Sequence, residues 1–265
     1  MIYFLAGIAA AIFAFLSLRF SIFIPPTRGL PVLVYHKVSM THADNLTIRP
    51  ETFEQHLNFL AQNGYTAISL KELIAFHEKR ANLPKKPVMI TFDDGYVNNF
   101  ELAYPLLKKH ACKAVFFIPT AGIGKTNWWD RDQEPLMNAD QLLALDSGLV
   151  ELGLHSTDHR HYGKLRPDQI EADMRESIDT LRKLSVGFAP AFSYPYGGRP
   201  KDKATYASML ETFASIGIKI AFRLGNRVNK LPLRNCFEVK RISIRGTDSM
   251  WTFKTKITKG RVKQA

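Results

Sequence analysis

Pro87-Val-Met-Ile-Thr-Phe-Asp-Asp-Gly95 is the stretch on which the fold turns. Its first six residues form an apolar run, and two carboxylates and a glycine end it. A short apolar run bounded by turn residues reads as a strand buried on both faces. Helical patterns flank it: Leu70–Glu78 before it, capped by Ser69, and Asn99–His110 after it. The same alternation runs through the chain. Val32–Tyr35, Thr66–Ser69, Val88–Phe92, Ala114–Pro119, Val150–Leu154, Ala191–Tyr194, Ile218–Phe222 and Val239–Ile244 read as strands. Pro50–Asn63, Asn138–Leu145, Pro167–Leu184, Lys201–Ser215 and Ser249–Lys256 add further helices. Strands alternating with helices imply an α/β fold with a mostly parallel sheet. This number of repeats in a chain of 265 residues suits a distorted (β/α) barrel of about seven strands. A doubly wound open sheet is the alternative, but no glycine-rich dinucleotide fingerprint supports it. In either case the active site belongs at the carboxyl ends of the strands, where Asp93-Asp94, His155, Tyr194–Gly197 and Tyr35-His36 all fall.

The composition, 46% hydrophobic and 23% charged, is that of a globular protein with a sizeable core. A net charge of +12 favours anionic surroundings. Nucleic acid is not expected: the basic residues are scattered, and no zinc-finger spacing or RNA-binding aromatic motif is present. Cys112 and Cys236 are too few for a disulfide framework; one bridge or two separate thiols remain open. Ile2–Leu18 is almost unbroken apolar sequence, and Phe20–Ile24 extends it past Arg19. Together these reach the ~20 residues that a membrane-spanning helix needs. No basic segment precedes the run, and Ala9-Ala10-Ala11 lies inside it, so an uncleaved anchor is preferred to a cleaved signal peptide or a core helix. The expected organisation is a transmembrane anchor over 1–24, a linker over 25–30 and a catalytic domain over 31–265. Arg19, Arg28 and Lys37 follow the run and would favour a cytoplasmic domain, yet large domains cross despite such charges. The domain is expected outside the cytoplasm, with the cytoplasmic face as the alternative. Nothing in the sequence sets an oligomeric state.

The chemistry rests on two clusters. Asp93-Asp94-Gly95 alone is an ordinary turn composition, and His155 and His159, four residues apart, are ambiguous alone. Together, one Asp and two His make a three-ligand metal site with an open position, the pattern of catalytic zinc. The second Asp is then free to act as a base toward a metal-activated water.

Thr91-Phe-Asp-Asp-Gly95 and His155-Ser-Thr-Asp-His159 resemble the first and second motifs of the polysaccharide deacetylase family (NodB homology, carbohydrate esterase family 4), and Ala191-Phe-Ser-Tyr-Pro-Tyr-Gly197 is similar to the third. The resemblance runs from about Pro31 to Ile257. It implies a barrel, a divalent metal (Zn2+, with Ni2+, Co2+ or Mn2+ as options) and hydrolysis of the acetyl group of an N-acetylated sugar. By position it implies Asp93 as base, Asp94, His155 and His159 as metal ligands, and the Tyr196 backbone N–H as donor to the oxyanion. Pro195 would fix the backbone there, and Tyr194 or Tyr196 would stack on a sugar ring. Separately, Trp128-Trp129-Asp130 sits in a loop where Trp129 either lines a sugar groove or covers the barrel. Two departures stand out. The arginine expected at the start of the third motif is missing, with Ala191 and Ser193 in that region and Arg199 beyond it. No histidine follows His161, where the family has its C-terminal acid. Val34-Tyr35-His36-Lys-Val38 instead resembles the N-terminal Tyr-His element of the poly-N-acetylglucosamine deacetylase branch, which implies His36 as general acid, with His161 a weaker candidate. His42, His56, His77 and His110 read as surface positions. The basic tail from Lys254 to Lys263 reads as a solvated helix and tail with possible phospholipid contact.

The expected function is therefore a membrane-anchored, metal-dependent N-deacetylase acting on a polysaccharide or lipid-linked glycan. A catalytically degenerate glycan-binding module, or a deacylase for a formyl amide or O-acetyl ester, are the alternatives.

Overall fold

A computed structural model of the chain describes residues 7, 8 and 26–260. Ten strands are described: β1 (Val32–Tyr35), β2 (Lys37–Val38), β3 (Thr47–Ile48), β4 (Thr66–Ala67), β5 (Pro87–Phe92), β6 (Ala114–Ile118), β7 (Val150–Leu154), β8 (Ala191–Ser193), β9 (Ile220–Leu224) and β10 (Val239–Ser243). They are joined by helices α1 (Pro50–Gln62), α2 (Leu70–His77), α3 (Tyr104–Lys109), α4 (Ala139–Leu143), α5 (Pro167–Lys183), α6 (Lys203–Ser215) and α7 (Met250–Lys259). Strands β5 to β10 pair in sequence order, all parallel, and β1 pairs with both β5 and β10. The result is a closed barrel of seven strands, as expected. Strand β4 adds only a short pairing onto β5.

Strand parity decides what enters the barrel. Met89, Val115, Phe117, Ala191, Phe222 and Val239 are fully buried in one cluster, which continues into Leu70, Leu73 and Ile74 of α2. That helix therefore closes the amino-terminal end of the barrel. Its first two N–H groups, at Leu70 and Lys71, donate to the Glu151 carboxylate, and its capping box joins Ser69 and Glu72. The alternate residues Ile90, Phe92, Phe116 and Phe192 belong to the outer cluster beneath the helices. Helix α1 faces this layer with Phe53, His56, Leu57 and Leu60, the spacing of one apolar stripe. Counting on from Met89 and Val239 by twos places Asp93 and Arg241 on the lumen side.

Several boundaries differ from expectation. The helix expected over Asn99–His110 is a wide π turn over Asn99–Ala103 followed by α3, where Pro105 lacks the N–H an unbroken helix needs. Strand β9 starts at Ile220 because the Ile218 N–H closes the end of α6 on the Phe213 carbonyl. The short pair β2–β3 was not foreseen. Cys112 and Cys236 are both free thiols. His56 is not a surface residue: it is fully buried, bonded to the Tyr35 hydroxyl at 3.1 Å and stacked on Phe253, and burial pulls its pKa down to about 3. Lys256 of the basic tail is likewise buried, with its ammonium on Asp248 and the Ser243 carbonyl. The expected span over 1–24 lies outside the described residues apart from Gly7 and Ile8. Among the described residues, no helix is long and apolar enough to cross a membrane.

Candidate active site

The paired carboxylates part company at a sharp turn. The Asp93 N–H continues the sheet ladder by donating to the Tyr35 carbonyl at 3.0 Å. Asp94 and Gly95 then both take left-handed backbone, φ 74° and 69°. A Cβ at Gly95 would lie 2.8 Å from Ile118 Cδ1, so the turn needs glycine for space as well as conformation. Asp93 stays in the barrel lumen and Asp94 is carried over its rim.

The histidines follow β7. Ser156 and His159 also have left-handed φ, 69° and 61°. A buried carboxylate from α5 holds this contorted loop: Asp173 accepts from the Ser156 hydroxyl at 3.0 Å, the Thr157 N–H at 3.1 Å and the Tyr162 hydroxyl at 2.5 Å. Burial, the largest influence, leaves the Asp173 pKa raised despite these donors. The sequence reading passed over Asp173, which looks like one more acid on an amphipathic helix. Asp173→Ala is expected to weaken metal binding about tenfold to a hundredfold, read by calorimetric titration with zinc. Unchanged affinity in the folded variant would remove this positioning role.

His155, His159 and Asp94 converge. Asp94 Oδ1 lies 3.4 Å from His155 Nε2 and 3.2 Å from His159 Nε2, and the three are buried. His155 Nδ1 sits 2.8 Å from the Ser193 carbonyl, which only accepts, so Nδ1 carries the proton. Nδ1 is thereby occupied, and Nε2 is the nitrogen that faces the Asp94 carboxylate oxygen. Asp94 Oδ1 itself is buried with no hydrogen-bond partner. Two lone-pair donors and an orphaned anionic oxygen at this spacing fit a divalent cation, and a nitrogen-nitrogen-oxygen set suits zinc. Burial pushes the Asp94 carboxyl up, but the two imidazoles and His36 together hold it well below the ordinary carboxylate range.

Asp93 is organised differently. Arg241 Nη1 and Nη2 grip its two oxygens at 2.6 Å each, inside the barrel, with both side chains buried. Arg241 also donates to Ser193 Oγ at 2.8 Å, and its guanidinium lies over the Phe117 ring. Burial raises the Asp93 pKa, but Arg241 and then His155 outweigh it and leave the carboxyl below its usual value. This is the arginine missing from the third motif, delivered by β10 instead. The signal was present in Val239-Lys-Arg-Ile-Ser243, where parity points Arg241 inward. Arg199, which lies beyond the third motif, pairs with Glu238 at 2.9 Å.

Aromatic rings form the mouth. Trp129 stacks on His159 at 4.5 Å, and Trp128 meets Trp129 edge-on with half its surface exposed. Tyr196, at φ 57°, is 55% exposed and sets its ring 4.6 Å from His159 and 6.0 Å from His161. Pro195 is buried and opens the short turn that carries Tyr196. Tyr194 departs from expectation: it is fully buried among Phe192, Tyr162 and Phe213, with its hydroxyl on the Phe237 carbonyl, so no face is open to a sugar. His36 is half-buried at the junction of β1 and β2, its carbonyl held by Asn99. Burial lowers its pKa, against the opposing pull of Asp94 and Asp93.

A family model described as polysaccharide deacetylase matches residues 80–213. A Bacillus subtilis protein named among the polysaccharide deacetylases, YxkH, is 32% identical over 168 residues, 63% of this chain and 57% of its own length. The poly-beta-1,6-N-acetyl-D-glucosamine N-deacetylase of Staphylococcus aureus is 27% identical over 219 residues, 80% of this chain and 72% of its own. The chain thus spans under two thirds of the first relative and nearly three quarters of the second. Among solved structures, the Streptococcus pyogenes deacetylase PplD in complex with acetate superposes with a TM-score of 0.73 at 22% identity, over 88% of this chain and 99% of that one.

Proposed function

The chain belongs to the polysaccharide deacetylase family, hydrolases of carbon–nitrogen bonds other than peptide bonds, and we propose that it removes N-acetyl groups from the amino sugars of a polysaccharide or lipid-linked glycan. One observation carries this reading. The Arg241-gripped Asp93 carboxylate lies 3.8 Å from the same His155 Nε2 that faces Asp94, so a base and a ligand set border one space. A divalent cation held by Asp94, His155 and His159 would polarise the acetyl carbonyl and acidify water. Asp93 then takes the proton from the attacking water, whose oxygen bonds to the carbonyl carbon. The C–N bond breaks, and the departing nitrogen collects a proton from His36. Burial lowers the pKa of His36, so the proton it delivers is the one that Asp93 took from the water, and both groups end the cycle as they began it. The Tyr196 N–H donates to the developing oxyanion. Tyr196, Trp128 and Trp129 supply rings for sugar contact. The Asp93–Arg241 pair answers one of the two reasons to read the chain as a degenerate binding module, the missing arginine. Residues 1–24 act as an anchor in this proposal, with the barrel outside the cytoplasm.

The test is acetate release from N-acetylglucosamine oligomers. Release is expected to stop with a chelator and to return with zinc. His155→Ala is expected to lose the metal by elemental analysis. Preferential release of formate or of O-linked acetate from a substrate panel would reassign the acyl group.

A further inference from the structure

The loop between β9 and β10 carries only a single 3-10 turn, Cys236–Glu238, and leaves a cleft of about 440 Å³. Arg227, Lys230, Arg234 and Lys240 line it. Its one acid, Glu238, is already engaged by Arg199 at 2.9 Å and Arg223 at 3.0 Å. Among the described residues, no carboxylate lies within ion-pair distance of the other four cations. Residues 1–25 and 261–265 contain no Asp or Glu; their charged residues are Arg19, Arg261 and Lys263. The cleft is thus strongly and uniformly positive.

It also lies where the apolar run joins the domain. Leu30 and Asn229 exchange backbone hydrogen bonds at 2.8 and 3.0 Å, and the Asn229 side chain brackets the backbone of Lys240. A Cβ at Gly29 would fall 2.0 Å from the Asn229 carbonyl, so the entering chain is pressed onto this loop. The Thr27 N–H donates to the Thr258 carbonyl, and Gly260 abuts Arg227, so the end of α7 arrives at the same place. Five residues separate Ile24 from Leu30, a reach of at most about 22 Å. Any bilayer that receives Ile2–Ile24 therefore holds the cleft at headgroup depth.

We propose that this cleft docks on anionic phospholipid. Basic clusters beside an apolar segment gain affinity for such headgroups through charge that salt screens. Docking here seats the barrel by the amino-terminal ends of β1 and β10 and leaves the opposite end, with the Asp-His-His cluster, turned toward the aqueous side.

The full chain is incorporated in phosphatidylcholine vesicles with or without phosphatidylglycerol. Acylation of the Lys230 and Lys240 amines is then read by mass spectrometry against Lys125 on another face. Protection of about fivefold or more is expected only with phosphatidylglycerol and only at low salt. In Lys230→Glu/Arg234→Glu, protection of Lys240 is expected to disappear while hydrolysis of a soluble substrate is unchanged. Equal labelling in both vesicles, or failure of the chain to sediment with them, would overturn the proposal. So would equal protection by inorganic phosphate with neutral vesicles, which would make the cleft a soluble-anion site. None of these readouts depends on deacetylation, so the two proposals fail separately.

Discussion

Asp93→Asn is expected to release acetate about a hundredfold to ten-thousandfold more slowly than the parent chain while still binding its metal. The amide keeps the shape of the carboxylate and one acceptor for Arg241, but it cannot take a proton. It also leaves the three converging atoms of Asp94, His155 and His159 untouched. Turnover, metal content by elemental analysis and folding by circular dichroism together separate loss of the base from loss of the site. Turnover within tenfold of the parent would move the base elsewhere. The comparison with His155→Ala is informative because that variant loses both metal and turnover.

Arg241→Met is expected to be the most destabilising change at the site. It leaves the Asp93 carboxylate buried in the lumen without its bidentate partner. Breaking a buried pair from one side costs about 3–5 kcal/mol, a fall in Tm on the order of 10 °C for a domain of this size. Two shifts should accompany it. Arg241 contributes to holding the Asp93 pKa below the ordinary range, so its removal moves that pKa up and moves the acid limb of the activity profile to higher pH. The linkage has the same sign. A depressed carboxyl stabilises the fold above its unfolded pKa, and this stabilisation is lost as pH falls through the folded value. The variant lacks this contribution, so the Tm difference between parent and variant is expected to narrow as pH falls. A variant with parent Tm and an unmoved acid limb would show that Arg241 is a bystander.

The barrel was legible because each strand carries its own apolar run with turn residues at its end, as Pro87–Gly95 does. Boundaries failed where a local bond outweighed the pattern, as at Ile218, whose N–H belongs to the helix before it. The candidate metal cluster was legible because two short motifs hold all three of its residues. Arg241 was not, since its meaning depends on which neighbour shares the lumen, 148 residues away. Asp173 was hidden for the same reason, and Tyr194 misled because an aromatic next to a site residue can face the core instead. His56 shows the converse, a polar residue on the apolar stripe of α1 that packs as an aromatic.

Among the described residues, eight non-glycine positions have left-handed backbone, and Asp94, Ser156, His159 and Tyr196 are four of them. Each such position holds about 1–3 kcal/mol of strain that the surrounding packing sustains. Selection for heat tolerance alone would drift these positions toward glycine, and at three of them the replaced side chain is a ligand or a ring at the mouth. Thermal hardiness and catalysis therefore compete for those three residues, and that competition sets a ceiling on how robust a working version of this barrel becomes.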